Sequence, residues 1–483
     1  MSTPKTSINP QYSIKKCVFS SEFLPDLDLE LRESVVEVNF YETLDKPYIT
    51  GEITILDNMN IFSMLNFQGT ERVNIVIETG DLDDGTLHKI DKSFIAYKIK
   101  NQVKGQDGKK SMFLIKIIEE HGFLGNINKI SKSYHGKFED IIKKICINEL
   151  NQEGLNVTYT GSGGLFYDTV QEEVRCIVPN ISVNNALTWL TDRITTKNGS
   201  PYFIYSTLLS NTGNYSVSPE RDEKIKNINI RLGNLDYMLL KEPFNIRPYI
   251  YNPNAKGNLS MEREIDKAFI VQNIEFGSSA DTHGLMQVGS ISSTYSNTDI
   301  GTGQRTNNKK YTLDNQLKKL NLENHINYGY QNVYNPFFKI NEKSLSEYNG
   351  VNVHTITSQG TYGNFNSYHD EKDENKFINK ISSNAIKNVL HKNKIKIMCE
   401  AFLFLKSQVK VGDSMKLLIV SDFPSADQKD IDETGEFVAF DQRHSGTHLI
   451  YSIKYTFSNN KSSIVATLCK LERNIQEQDE TNV

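Results

Sequence analysis

The sequence predicts a mainly β protein of the α+β class. Two similar antiparallel β-barrels of a tube-like kind flank a mixed α/β insert, and the second barrel carries a long polar insertion. Three observations predict this. Apolar and polar residues alternate with a period near two in short runs at both ends of the chain, every ten to twenty residues or so. The middle shifts to a helical period around residues 137–150. Two amphipathic hairpins match one another: Phe94-Ile95-Ala96-Tyr97-Lys98-Ile99-Lys100 with Met112 to Glu119, and Leu449-Ile450-Tyr451-Ser452-Ile453-Lys454-Tyr455 with Ile464 to Glu472.

Residues 1–30 read as an N-terminal arm with local order near Cys17-Val18-Phe19. A first barrel over 31–122 begins with Val36, Val38 and Phe40 on one face and Glu37, Asn39 and Tyr41 on the other. A Lys46-Pro47 turn leads to a strand over 48–56, and further strands follow at 72–78, 93–103 and 111–118, the last two joined at Gly105-Gln106-Asp107-Gly108. Residues 123–262 form the α/β insert. There, Phe138, Ile141, Ile142 and Ile145 share one face of a helix over 137–150, and 156–160 reads as a strand. Ser182 is placed to cap a helix over 183–195 that turns Leu187, Leu190 and Ile194 inward beside Trp189. Strands are expected at 202–208 and 226–232.

The second barrel is assembled from 263–295 and 392–472, with 265–295 as its opening strands. Between them, 296–391 is a polar insertion. Up to about 375 it is rich in Asn, Gly, Ser, Tyr and Lys and weakly periodic, which reads as a surface segment ordered against a neighbour. A short helix over 377–390 leads back. In the closing strands Ile395, Ile397, Cys399 and Ala401 alternate with Lys394, Lys396, Met398 and Glu400. Val409 and Val411 lead through a Gly412-Asp413 turn to Met415, Leu417 and Ile419. The last hairpin turns at Ser458-Asn459-Asn460-Lys461, where Asn tolerates a left-handed backbone. Residues 473–483 are an acidic tail.

Composition narrows the function. With 10% aromatic residues, including 23 Tyr and 24 Phe, the 483-residue chain has the large apolar side chains that disordered chains lack. A net charge of −5 comes with no basic cluster of the density that sequence-specific nucleic-acid binding needs. The five cysteines (Cys17, Cys146, Cys176, Cys399, Cys469) lie far apart, without the close pairs of a metal site, and read as buried thiols of a reducing compartment. The N-terminus MSTPKTSINPQYS has no basic-then-apolar signal, and no apolar run approaches the ~20 residues of a membrane helix. The expectation is folding in a cytoplasm without a membrane anchor.

No motif for chemistry survives inspection. Gly161-Ser162-Gly163-Gly164 lacks both the Gly-Lys-Ser/Thr of a phosphate loop and the strand-to-helix setting of a nucleophile elbow. Gly301-Thr302-Gly303-Gln304-Arg305-Thr306 has no third glycine and opens no helix. Asp81, Asp83, Asp84 and Gly85 resemble a calcium loop, but Lys92 takes the place of its closing carboxylate. Asp430, Asp432, Thr434, Gly435 and Asp441 fit that spacing better and read as a solvated acidic loop, with calcium as the alternative. His369-Asp370-Glu371 belongs to no His-Glu-x-x-His, and Glu119-Glu120-His121 reads as a polar turn with no partner nucleophile. Among 59 acidic residues no pair stands out for glycan hydrolysis. No catalytic, cofactor-binding or metal-binding residue is predicted.

Five segments carry a resemblance: Pro179-Asn180-Ile181-Ser182-Val183-Asn184-Asn185-Ala186-Leu187-Thr188-Trp189-Leu190; Pro201-Tyr202-Phe203-Ile204-Tyr205; Ile230-Arg231-Leu232-Gly233-Asn234-Leu235; the Val411-Gly412-Asp413 turn; and the closing Gly446-Thr447-His448-Leu449-Ile450. With the order barrel, insert, barrel, the chain resembles the central baseplate hub proteins of contractile-tailed bacteriophages. It is also similar to the N-terminal half of type VI secretion spike proteins. The insertion over 296–375 departs from that family's compact plan. The resemblance implies a virion protein, a homotrimeric ring whose two barrels per chain present six quasi-equivalent faces to a hexameric tail tube. Its other end would match a three-fold spike, expected to be a separate protein because the chain stops soon after Glu472. Other baseplate proteins would surround it, and DNA would pass through the channel without specific binding. The competing expectations are a tail-associated cell-wall hydrolase or glycan-binding protein, and a monomeric binding module.

Overall fold

Alternating apolar residues set most of the strands, and the majority of these join one 13-stranded sheet. The computed structural model describes residues 12–58, 66–79, 88–104, 110–151, 156–157, 173–196, 199–209, 230–252, 268–277, 281–301, 303, 305, 308–322, 333–357, 379–392, 394–420, 430–431, 437–438, 440–441, 443–459 and 461–471. The chain begins with β1 (Tyr12–Ser21), β2 (Leu24–Glu30), β3 (Val35–Thr43), β4 (Thr50–Asp57), β5 (Glu71–Thr79), β6 (His88–Lys104) and β7 (Ser111–Glu119). Then come α1 (Glu120–Ile127), β8 (Lys129–Lys137), α2 (Phe138–Leu150), β9 (Asn156–Val157), β10 (Glu173–Ser182) and α3 (Val183–Thr191). They lead to β11 (Tyr202–Ser206), β12 (Ile230–Asn234), α4 (Leu235–Leu240), β13 (Tyr249–Tyr251), β14 (Asn273–Phe276) and α5 (Thr282–Gln287). Next are β15 (Ser292–Asp299), β16 (Lys309–Thr312), α6 (Leu313–Lys319), β17 (Lys339–Ile340), β18 (Lys343–Ser344), β19 (Val351–Thr357) and α7 (Asn379–Leu390). The chain closes with β20 (Lys394–Glu400), α8 (Phe402–Lys406), β21 (Ser414–Ile419), β22 (Asp430–Ile431), β23 (Phe437–Val438), β24 (Gly446–Ser458) and β25 (Lys461–Cys469).

The large sheet contains the same five-stranded unit twice. In the first, antiparallel pairings give the order β3-β4-β7-β6-β5. In the second they give β14-β20-β25-β24-β21, the same succession of chain positions. Finer details repeat as well. Tyr97 is bulged from β6 against β7, and Tyr451 from β24 against β25. Each unit's β5 or β21 is entered through a left-handed glycine, Gly69 (φ 84°) or Gly412 (φ 83°). A carboxylate follows that accepts loop amides: Glu71 from Gln68, Gly69 and Thr70, and Asp413 from Lys410. The bulges align Tyr97 with Tyr451, one residue away from the match that sequence similarity suggests. A bulge adds a residue to one strand only, so the similarity of flanking residues does not fix the register.

Several expectations are corrected. Residues 12–30 are not an arm: β1 pairs with β5 and β2 with β1, and Cys17 and Phe19 are 0% exposed. An irregularity between Val35 and Glu37 turns Val36 outward, 40% exposed, while Val38 and Phe40 stay inside. The helix expected over 183–195 stops at Thr191, and the Ser182 side chain makes no capping bond. Ile194 is nevertheless buried. Among the described residues of 265–295, β14 is the strand that joins the large sheet, whereas β15 starts a separate three-stranded sheet, antiparallel to β16 and parallel to β19. β13, expected in the insert, pairs in parallel with β21. Part of the polar insertion is buried in the main core: Leu313, Leu317, Leu320 and Leu322 are at most 1% exposed and join the main apolar cluster. Leu313, Leu317 and Leu320 stand at helical spacing, a local period carried by one short helix within an otherwise polar stretch. The Gly105–Gly108 turn lies outside the described residues.

The insert has its own core, in which α2 and α3 pack on β8, β10, β11 and β12. Phe138, Ile141, Ile142, Ile145, Leu187 and Leu190 meet there. Asn459, at φ 51°, supplies the left-handed residue of the β24–β25 hairpin.

Candidate functional site

The feature the fold is built around is the join between the two units. β3 of the first lies antiparallel to β24 of the second, from Glu37 opposite Ser458 to Thr43 opposite Ser452. Inward side chains lock it: Phe40, 0% exposed, stacks on Phe94 at 5.4 Å and meets the edge of Phe457 at 6.3 Å. On the other face, Thr456 Oγ1 donates to Asn39 Oδ1 at 2.8 Å. β21 pairs with the first half of β24 and β3 with the second half, along the same edge, since β25 takes the opposite one.

Beneath this join sits a group of buried charges. Both oxygens of Glu42 accept backbone amides, from Val411 at 2.9 Å and Leu208 at 3.1 Å, so one carboxylate ties the first unit to the insert and to the second unit. Burial pushes Glu42 up to about 7, against the opposing pull of those amides and of Arg231, with Asp413 adding to the rise. Glu119 accepts from Lys92 Nζ (3.2 Å), the Ile49 amide (2.8 Å) and Ser206 Oγ (2.9 Å). Burial alone would raise its carboxyl, but Lys92, His121 and these donors outweigh it, and the net shift is downward. Lys92 also donates to the Thr207 carbonyl, and His121 Nε2 lies 2.9 Å from the Pro47 carbonyl and 3.5 Å from Glu119. Of the run Glu119-Glu120-His121, the two outer residues are therefore fixed structural partners, and Glu120 pairs on the surface with Arg72. Sequence reading missed Glu42 and Lys92. The signal was present: each falls at an inward position of an alternating strand, Glu42 after Val38 and Phe40, and Lys92 between Ile90 and Phe94.

Residues 81–85, 161–164 and 369–371 fall outside the described residues, as do Asp432, Thr434 and Gly435 of the acidic loop. Asp441 is engaged by its own turn, accepting from the amides of Arg443 and His444 and meeting His444 Nδ1 at 2.6 Å. All five cysteines are buried and unbridged. Among the described residues no three His, Cys, Asp or Glu side chains cluster as metal ligands, and no helix is long and apolar enough to cross a membrane. A cavity of about 470 Å³ between the first unit and α1 is lined by Tyr41, Tyr48, Tyr97, Phe123, Lys116 and Glu52 among others. Among the described residues of that lining Glu52 is the one carboxylate, where a two-carboxylate hydrolysis uses a pair.

One titratable group in β24 gives a pH signature. His448 is 0% exposed, and burial, with Lys470 nearby, pushes its imidazole down to about 3. The unfolded chain binds that proton near pH 6.5, so the group removes stability as pH falls from 6.5 toward 3. Between pH 8 and pH 5 the loss is about 2 kcal/mol. Urea melts of wild type and His448→Asn are expected to show this difference: the gap between them narrows by about 2 kcal/mol on going to pH 5. A gap independent of pH would mean the imidazole is not held neutral.

No family model matches the chain, and no curated protein matches it. Among solved structures it is similar to a tail protein from Neisseria meningitidis MC58, at 10% identity over 95% of this chain and 97% of that one, with a TM-score of 0.47. It is similar to the 43 kDa tail protein of prophage MuSo2 from Shewanella oneidensis, at 8% identity over 94% and 98% of the two chains, TM-score 0.46. A chain of the Francisella PdpA–VgrG complex matches at 10% identity over 97% of this chain and 54% of its own, TM-score 0.41.

Proposed function

We propose that the chain is the central hub of a contractile phage tail baseplate: a homotrimeric ring that adapts a hexameric tail tube to a three-fold spike. The single observation that carries this reading is the repeated five-stranded unit within one sheet. A trimer of a chain with two such units offers six similar faces at one end, while the rest of the chain keeps the three-fold character needed at the other. The tube would meet the duplicated strands, and the spike and other baseplate proteins would meet the three-fold surfaces. The sequence segments that resemble hub proteins, Pro179–Leu190 in particular, support the same assignment. In this reading the protein works by geometry, with no chemical step, and DNA passes through the channel without being held.

The purified chain is expected to have a native mass three times its 55.0 kDa. A monomer across the micromolar range would overturn the reading. The chain's −5 charge leads to the companion expectation that the ring binds duplex DNA neither tightly nor with steep salt dependence.

A further inference from the structure

The repeated unit specifies where a second copy of this chain docks. Inside one chain, β3 covers the edge of the second half of β24. The equivalent of β24 is β6, and the equivalent of β3 is β14. β6 repeats the pattern only in part. Its first half pairs with β5 up to Ala96, but along Lys98–Lys104 the same edge has no strand among the described residues, β7 lying on the opposite side. β14 is the terminal strand of the sheet, and its outer edge is likewise open among the described residues. The geometry points to these two edges as partners: β14 of one copy pairs antiparallel with the second half of β6 of the next, repeating the β3–β24 join between chains.

The register follows from equivalences already fixed by pairing. β14 and β20 pair as β3 and β4 do, which aligns Ile274, Glu275 and Phe276 with Val38, Asn39 and Phe40. β6 carries a second irregularity against β7, between Ile99 and Asn101, that β24 lacks against β25; beyond it, matching β7 to β25 aligns Gln102, Val103 and Lys104 with Tyr455, Thr456 and Phe457. Within the chain Phe40 faces Tyr455, Asn39 faces Thr456, and Val38 faces Phe457. Between chains, Phe276 then faces Gln102, Glu275 faces Val103, and Ile274 faces Lys104. The exposures agree with a missing neighbour: Phe40 is 0% exposed, whereas Phe276 is 48% and Val103 54% exposed. Open strand edges carrying apolar side chains are sites for pairing with another chain. The proposal takes the number of copies from the ring reading, but the seam itself rests on the strand equivalences alone.

Asn39 and Thr456 touch through their side chains in the internal join, so cysteines at the equivalent pair are expected to reach one another. The test is the double variant Val103→Cys/Glu275→Cys, oxidised mildly, with native mass measured alongside. Both sites are exposed, and the five native thiols are buried and stay out of the reaction. The expected result is covalent multimers on a non-reducing gel, absent from each single variant and reversed by reductant. A trimer whose double variant gives no interchain bridge, or one bridged within a chain, overturns the seam and leaves the ring reading standing. Bridged multimers from a protein whose native mass is not trimeric keep the seam and remove the three-fold ring. A monomer that never bridges removes both.

Discussion

Replacing Glu119 by alanine is expected to lower the unfolding free energy by about 3–5 kcal/mol, the usual effect of removing one member of a buried ion pair. Lys92 is 9% exposed and would be left with a buried charge that donates to the Thr207 carbonyl but has lost its carboxylate partner. The Ile49 amide and Ser206 hydroxyl would lose their acceptor as well. Most of the loss is thus the cost of uncompensated groups, not the worth of the pair, and this is checkable. Lys92→Met in the Glu119→Ala background is expected to recover a large part of the loss, giving a coupling energy well above 1 kcal/mol in a urea-melt double-mutant cycle. Additive effects would show that the two side chains do not depend on one another. Because Glu119 is held below the ordinary carboxyl value, its contribution is present above that value and is lost as pH falls below it.

Phe40→Ala is the second large effect, about 3–5 kcal/mol, since a wholly buried ring is removed where three aromatic side chains meet. It strikes the join between the two units, so thermal unfolding is expected to become less cooperative as well as earlier. The matching change in the second unit, Phe276→Ala, separates folding from assembly. With its ring half exposed, it should cost the isolated chain less than about 1 kcal/mol. If β14 pairs with a second copy, the same change weakens association. Equal stability losses from the two substitutions would contradict the different exposures of these rings.

Much of this architecture was legible in local pattern. Ile395, Ile397 and Cys399 face inward as their period of two requires, α2 buries the face that Phe138, Ile141, Ile142 and Ile145 mark, and Asn459 takes the left-handed turn its side chain tolerates. Matching hairpins near each end of the chain announced the duplication. The helix over 183–195 was read too long, since it ends at Thr191, and Ser182, although it has the extended backbone of a cap, makes no side-chain capping bond. The insertion was misjudged because Leu313, Leu317, Leu320 and Leu322 find their apolar partners in distant parts of the chain.

By itself, then, the sequence determined which residues alternate, which faces are apolar and that one strand pattern occurs twice. Only the tertiary structure decided that the two patterns share a sheet through β3 and β24, that Tyr97 and Tyr451 are the equivalent bulges, and that Glu42 receives an amide from Val411, 369 positions away. The physical reason is that side-chain alternation is a property of neighbouring residues. Which strand edge lies beside which is settled by hydrogen bonds and packing between segments far apart in the chain.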